Sequence, residues 1–334
     1  MSDSTWPRLV SVVVPARNAA ATLPVAVESA LSQRCPWPLE VVVAVGPSED
    51  DTRVVADRLA ADDRVRVVDN PDGTTPAALN RAIGASHGEV VVRLDAHAVL
   101  PDGYVATAVR ALDQTGAGNV GGRQVPTADA GFARAVAAAM GSLLGSGGAT
   151  YRSGTRPGPV DTVYLGVFRR QALDEVGGFD EHLVRNQDYE LNHRLRTAGW
   201  EVWFEPTLAV TYRPRGSLRA LASQYHDYGR FKRHVVRMHP SSVRARQLAP
   251  VLMVGGVVAS LGVGAVAGWW WLPALAVAGY VALLLVGGAL ADLSRTVPVA
   301  GALATMHWAW AIGFLRGPGR GFGASSRDTG DSDG

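Results

Sequence analysis

Asp95 and His97, within "VVVRLDAHAVLPDGY" at residues 90–104, are spaced to grip one cation. The apolar run Val90, Val91, Val92 and Leu94 reads as a buried strand of a parallel sheet, and it breaks off at a carboxylate. Successive strand residues face opposite ways, so positions 95 and 97 share a face. They lie at the strand's carboxyl end, the edge where open α/β sheets bind ligands. An ordinary polar strand exit would read the same way on this stretch alone. Arg93, two residues earlier, either faces the same ligand or makes a surface ion pair.

The elements that must position these residues alternate in type. "LVSVVVPA" reads as a strand, "AATLPVAVESALSQ" as a helix, "LEVVVAV" as a strand and "DDTRVVADRLAA" as a helix with acidic residues at its positive end. "VRVVDN" follows as a strand, "TPAALNRAIGAS" as a helix with Pro76 in its first turn, and "EVVVRLDA" as a strand. This alternation predicts a mostly parallel sheet with right-handed crossovers. No G-x-x-x-x-G-K-[ST] loop is present and no G-x-G-x-x-G follows the first strand, which argues against kinases, ATPases and dinucleotide oxidoreductases.

The 334 residues carry a formal charge of only +2, so the chain makes no electrostatic case for nucleic acid. Local charge is different: Arg213, Arg215, Arg219, Arg230, Lys232, Arg233, Arg237, Arg244 and Arg246 are opposed by Asp227 alone, and Lys232 is the only lysine. The single Cys35 permits no internal disulfide and fits a reducing compartment. Beyond Arg246 two uncharged runs, Leu248 to Gly268 and Leu272 to Ala291, are each long enough at roughly 20 residues to cross a bilayer. Trp269, Trp270 and Trp271 sit between them, as an aromatic belt would. A third stretch, Val297 to Leu315, is weakened by His307 and reads as a tilted or re-entrant segment. The start, "MSDSTWPRLV", lacks the pattern of a signal peptide, and the tail "GASSRDTGDSDG" has the composition of a disordered segment.

The stretches "VVVPARNAAATLPVAVESAL", "RLDAHA" and "VGGFDEHLVRNQDYELNHRLRTAGW", in that order, resemble the GT-A nucleotide-sugar transferases of family 2. The resemblance is to the membrane-attached branch that includes the succinoglycan-type glucosyltransferases, where D-x-H replaces D-x-D, and it covers about residues 8 to 246. It implies an α/β, Rossmann-like GT-A domain over residues 1–212, basic amphipathic interfacial helices over 213–246, transmembrane helices over 247–316 and a free tail over 317–334. It further implies an inverting transfer of a sugar, UDP-linked for preference, to a lipid-linked or growing surface polysaccharide at the cytoplasmic face of the cell membrane.

By this resemblance Asp95 and His97 hold the cation that neutralises the departing diphosphate. Oxygen ligands suit Mg²⁺ or Mn²⁺, and the imidazole tilts the choice toward Mn²⁺. Asp188 stands where the family keeps its base, although Gln187 replaces the preceding carboxylate; the alternative is that Asp188 merely caps the helix that follows, and catalysis is the favoured reading. On the donor side the expected contacts are Pro15, Ala16, Arg17, Glu49, Asp50, Asn80 and Arg93, because Val45 and Gly46 occupy the place of the family's base-binding aspartate. Tyr212 and Arg213 replace a diphosphate-binding histidine. Gly166, Phe168, Gln187, Gln224 and Arg230 are expected beside the acceptor, and Tyr225, Tyr228 and Phe231 are expected to insert at lipid headgroups. "QYHDYGRF" is only a loose echo of the Q-x-x-R-W signature of processive synthases, which favours single transfers. Two other readings remain open: a polyprenyl monophosphate sugar synthase, whose anionic acceptor needs little base, and an inert nucleotide-sugar-binding membrane protein.

Overall fold

Valine runs build the centre of the sheet because residues branched at Cβ and buried on both faces favour extended backbone. In the computed structural model, which describes residues 6–317, the chain alternates β1 (Val10–Ala16), α1 (Leu23–Leu31), β2 (Leu39–Val45), α2 (Thr52–Leu59), β3 (Val65–Asp69), α3 (Thr75–Ala85) and β4 (Val90–Arg93). It continues through α4 (Tyr104–Thr115), β5 (Asn119–Pro126), α5 (Gly131–Gly141) and the short α6 (Leu143–Ser146) and α7 (Thr150–Ser153). Then come β6 (Gly158–Pro159), β7 (Tyr164–Arg169), α8 (Arg170–Val176), α9 (Gln187–Thr197) and β8 (Val202–Tyr212).

The sheet order is β3-β2-β1-β4-β7-β5-β8-β6. The first four strands are parallel, as the alternation predicts. β7 breaks that pattern by running antiparallel to both β4 and β5, so the sheet is mixed. Its inversion follows from the α5–α7 excursion, which does not cross back over the sheet, so β7 starts at the end where β5 stops. The helices α1, α2 and α4 cover one face and α3, α8 and α9 the other, each over its own apolar cluster.

After β8 the chain is helical: α10 (Leu218–Met238), α11 (Ala245–Ala267), α12 (Trp271–Ala291) and α13 (Thr296–Arg316). Three helical stretches, 245–267, 271–291 and 293–316, are long and apolar enough to cross a membrane. The first two are only 17% buried within the protein, whereas the third is 44% buried. α13 is one continuous helix over Thr296–Arg316. The His307 ring is satisfied by its neighbours: Nε2 donates to the Leu144 carbonyl at 3.1 Å and Nδ1 faces the Tyr280 hydroxyl at 3.3 Å.

The aromatic side chains of α10 are placed differently from the sequence expectation. Tyr225 and Phe231 are each only 7% exposed and Tyr228 is half-buried. They pack inside the protein, Tyr225 and Tyr228 against α5 and α13 and Phe231 against Leu183 and Tyr189. Helical periodicity identifies an apolar face but not whether lipid or protein covers it.

α10 and α13 approach closely through two glycines. A Cβ at position 229 would lie 2.1 Å from the Trp310 carbonyl oxygen, and one at 313 would lie 2.0 Å from that of His226. Gly229→Ala is therefore expected to destabilise by about 1–3 kcal/mol through overpacking. Gly301→Ala, where nothing lies within 4 Å, should be neutral or mildly stabilising. Thermal unfolding midpoints in detergent compare the two. Of the disordered tail expected over 317–334, residues 318–334 lie outside the described residues.

Candidate active site

β1, β2 and β4 are parallel neighbours, so their carboxyl ends open on the same edge of the sheet. β4 ends at Arg93, one residue before the apolar run stops at Leu94, and Asp95 begins a turn in which Ala98 N donates to the Asp95 carbonyl at 2.9 Å. Asp95 is half-buried and His97 is exposed. The shared direction expected of residues 95 and 97 thus belongs to a turn and not to a strand.

Arg93 is neither a surface ion pair nor a bystander. Its side chain is 7% exposed and joins two of the residues picked out by sequence. Nε and Nη2 both reach Asp95 Oδ1, at 3.0 and 2.9 Å, while Nη1 bonds Asp188 Oδ1. The Asp188 carboxylate is thereby committed to Arg93, 95 residues away in sequence, and makes no side-chain cap on α9. The chain enters α9 through Asn186 at φ +62°, a left-handed conformation that asparagine tolerates better than most residues. Asn186 Nδ2 donates to the Tyr228 carbonyl at 3.1 Å, which ties this sharp entry to α10.

The two carboxylates shift in opposite directions. Burial pushes the Asp95 carboxyl up, but Arg93, His97 and Arg185 outweigh it and hold the group below the usual carboxylate range. At Asp188 burial dominates, helped by repulsion from Asp95, and lifts the carboxyl above its ordinary value despite Arg93. Asp95 therefore suits a permanent anionic ligand, while Asp188, whose proton affinity is raised, suits a group that accepts a proton.

A cavity of about 640 Å³ begins at this cluster, with Arg93, Asp95, His97, Gln187 and Asp188 at one end. Tyr151, Arg152, Tyr212, Gln224, Tyr228 and Lys232 continue its wall, and Met253, Met306 and Trp310 of α11 and α13 close it. Six Arg and Lys side chains line it against two carboxylates, a balance that favours diphosphates over neutral ligands. Gln224 joins the wall with its Nε2 on the Tyr212 hydroxyl at 2.9 Å.

Several predicted contacts do not reach this cavity. Gly166 and Phe168 lie in β7, in the interior of the sheet, and Phe168 packs edge-on against Phe179 at 6.1 Å, so both are core residues. The residues just before and at the start of β7, Thr162, Val163 and Tyr164, line the cavity instead. Arg230 pairs with Asp227 at 3.5 Å. Asn80 spends its amide on the loop before α9, donating to the Phe179 carbonyl at 2.8 Å and accepting from its N–H at 2.9 Å.

The remaining donor-side residues lie at and just beyond the ends of β1 and β2 and are not among the residues lining this cavity. Arg17 donates to the carbonyls of Pro47 and Gly73, and Asp50 caps its own turn by accepting from the N–H groups of Ala20 and Thr52. Pro15 is half-buried, Ala16 is buried and Glu49 is exposed. Gly46 is hemmed in, since a Cβ there would meet Gly73, Arg17 and Asn70 within 3.4–3.6 Å.

Sequence reading missed Tyr151, Arg152 and Lys232 as wall residues. Lys232 was findable: it follows Tyr225 by seven residues and Tyr228 by four, which sets all three on one helical face.

Residues 11–177 match the model of the family described as Glycosyl transferase family 2. The chain belongs to glycosyl transferase family 2. The succinoglycan biosynthesis protein ExoA of Rhizobium meliloti (strain 1021) is 33% identical to it over 313 residues, spanning 91% of this chain and 93% of that protein. Among solved structures, the mannosyltransferase PcManGT from Pyrobaculum calidifontis, in complex with GDP-Man and Mn²⁺, superposes with a TM-score of 0.64 at 22% identity, covering 92% of this chain and 87% of that one. S. aureus TarS 1-349 superposes at 0.50 with 12% identity, covering 92% and 90%. At these identities the structural likeness is one of fold. The protein is a family 2 glycosyltransferase with a GT-A domain followed by helices apolar enough to span a membrane.

Proposed function

We propose that this enzyme transfers a sugar from a nucleoside diphosphate sugar, UDP-linked in our reading, to a lipid-linked or growing surface polysaccharide, with inversion at the anomeric carbon. The observation that carries the reading is the Asp95–Arg93–Asp188 bridge, which sets a carboxylate of raised pKa beside one of lowered pKa in a single cavity. The 33% identity to a succinoglycan biosynthesis protein supports a polysaccharide acceptor.

The site's donor set fits a divalent cation carried with the substrate. Both Arg93 contacts to Asp95 fall on Oδ1, which leaves Oδ2 available, and His97 lines the same cavity. Among the described residues no cluster of three or more His, Cys, Asp or Glu could hold an ion unaided. That pattern matches Mg²⁺ or Mn²⁺ held by one or two side chains and completed by phosphate oxygens. When bound, such an ion supplies charge neutralisation to the leaving diphosphate. The Mn²⁺ of the mannosyltransferase complex supports the same assignment.

The chain's own residues then divide the work. Asp188 accepts the acceptor hydroxyl's proton as its oxygen bonds the anomeric carbon and the bond from that carbon to the phosphate oxygen breaks. Arg93 fixes the Asp188 carboxylate, and Gln187 and Gln224 offer neutral hydrogen bonds to sugar. The arginines of residues 213–246 set the catalytic domain on the cytoplasmic side, with α11–α13 as a multi-pass anchor.

The test is nucleotide binding to the full-length protein in detergent, titrating UDP and GDP with and without Mn²⁺. Asp95→Ala should weaken metal-dependent binding by at least about 10- to 100-fold, the cost of losing even a ligand's supporting partner, and His97→Asp should retain it. Metal and nucleotide binding by Asp95→Ala equal to wild type would overturn the assignment.

A further inference from the structure

The single lysine is buried without a hydrogen-bond partner. Lys232 is 4% exposed, lines the cavity, and its Nζ makes no hydrogen bond. Its Nζ sits 3.4 Å from the centre of the Tyr189 ring, the residue after Asp188. Asp161, the carboxylate whose charge acts on it, is taken by Arg246. A buried ammonium left in this state costs several kcal/mol, so the position calls for an anionic occupant.

Arg152 lies on the same cavity wall. Its guanidinium hydrogen-bonds the hydroxyls of Tyr151 at 3.4 Å and Tyr225 at 3.3 Å and lies over the Tyr151 ring, and no carboxylate among the described residues pairs with it. Sugar hydroxyls do not neutralise such cations, whereas phosphate oxygens bind both ammonium and guanidinium through charge-assisted hydrogen bonds.

Beyond these cations the wall turns apolar. Leu144, Met253, Met306 and Trp310 line it, three of them on helices long enough to span a membrane.

We propose that Lys232 and Arg152 form a subsite for the phosphate groups of a lipid-linked acceptor, whose apolar chain lies against α11 and α13. The inference rests on the glycosyltransferase reading and adds to it the position and chemistry of the acceptor's anchor. The acceptor's phosphates sit in this subsite while its terminal sugar hydroxyl reaches Asp188.

The subsite carries its own pH signature. Burial pushes the Lys232 ammonium down to about 7, with Asp161 opposing and Arg246, Arg196 and Arg244 adding to the depression. A bound phosphate favours the charged form and raises that value. Affinity is then fully present below pH 7, and falls as pH rises through the free-state value toward the bound one.

The probe is farnesyl diphosphate, titrated into full-length protein in detergent with UDP or GDP and Mn²⁺ saturating, so that the donor diphosphate site is filled. Lys232→Met and Arg152→Gln are each expected to lose about 10- to 100-fold in farnesyl diphosphate affinity, and Lys232→Arg to stay within a few-fold of wild type. Nucleotide binding by each variant reports that it is folded and keeps the donor reading separate. Farnesol and inorganic pyrophosphate should each bind more weakly than farnesyl diphosphate by an order of magnitude or more, and phosphatidylglycerol in the micelle should not compete. If Lys232→Met fails to fold, the wild-type pH profile decides, with affinity expected to fall above pH 7. Unchanged affinity in Lys232→Met, a flat pH profile, or equal binding of pyrophosphate or phosphatidylglycerol overturns the subsite. Absence of nucleotide binding by the wild type would overturn the proposed nucleoside diphosphate sugar donor instead.

Discussion

Asp188→Asn is expected to lower turnover by about 10²- to 10⁴-fold while leaving donor affinity nearly unchanged. A sugar hydroxyl is a poor nucleophile at neutral pH, and its proton must leave as the new bond forms. Asparagine keeps the size of the side chain and an oxygen that can accept from Arg93, so the variant isolates the loss of the base. The Asp188 carboxyl lies above its usual value through burial, so wild-type turnover should rise with pH through that group's titration. The asparagine variant should lose this acid limb along with its rate.

The same measurement separates the two enzyme readings. A polyprenyl phosphate oxygen is already anionic and needs no proton removed, so an enzyme making a polyprenyl monophosphate sugar should tolerate Asp188→Asn. Near-normal turnover by the purified variant on its true acceptor would retire Asp188 as the base. Turnover that falls together with donor affinity would point to a disturbed site and not to lost base catalysis.

What the sequence showed of this site depended on separation along the chain. The parallel half of the sheet was legible because β-branched runs and intervening amphipathic helices are local patterns, and Val90 to Val92 pointed to the correct edge. The antiparallel entry of β7 was not legible, since nothing local fixes a strand's direction after an excursion as long as α5–α7. That one inversion also turned Phe168 from an expected acceptor contact into core. The partnership of Arg93 with Asp188 spans 95 residues, and no motif spacing records it. On α10 the apolar stripe was correctly seen, but only tertiary contacts reveal that α5 and α13 cover Tyr225 and that a lysine in the same stripe is left without a hydrogen-bond partner.

Removing Arg93 should cost more stability than removing either carboxylate it bridges. Its guanidinium is the only charged side chain bonded to both Asp95 and Asp188 among the described residues, and it stays ionised because those two carboxylates outweigh its own desolvation. In Arg93→Met two carboxylates are left facing each other in a largely enclosed site. Breaking a buried pair from one side costs about 3–5 kcal/mol, and the lower end applies because the Asp188 side chain is 37% exposed to the cavity. For a domain of this size about 3 kcal/mol corresponds to a fall of about 6–12 °C in the unfolding midpoint. Arg93→Lys keeps the charge but loses the fork that serves both partners at once, so it should fall between the two. The pH profile supplies the second readout. Arg93 pulls the Asp188 carboxyl down against burial, so its loss lets that value climb further, and the acid limb of residual turnover should move to higher pH. A merely structural arginine would lower the midpoint and leave the limb where it stands. An Arg93→Met protein that melts with the wild type, or whose acid limb does not move, would show that the bridge tunes neither the fold nor the base.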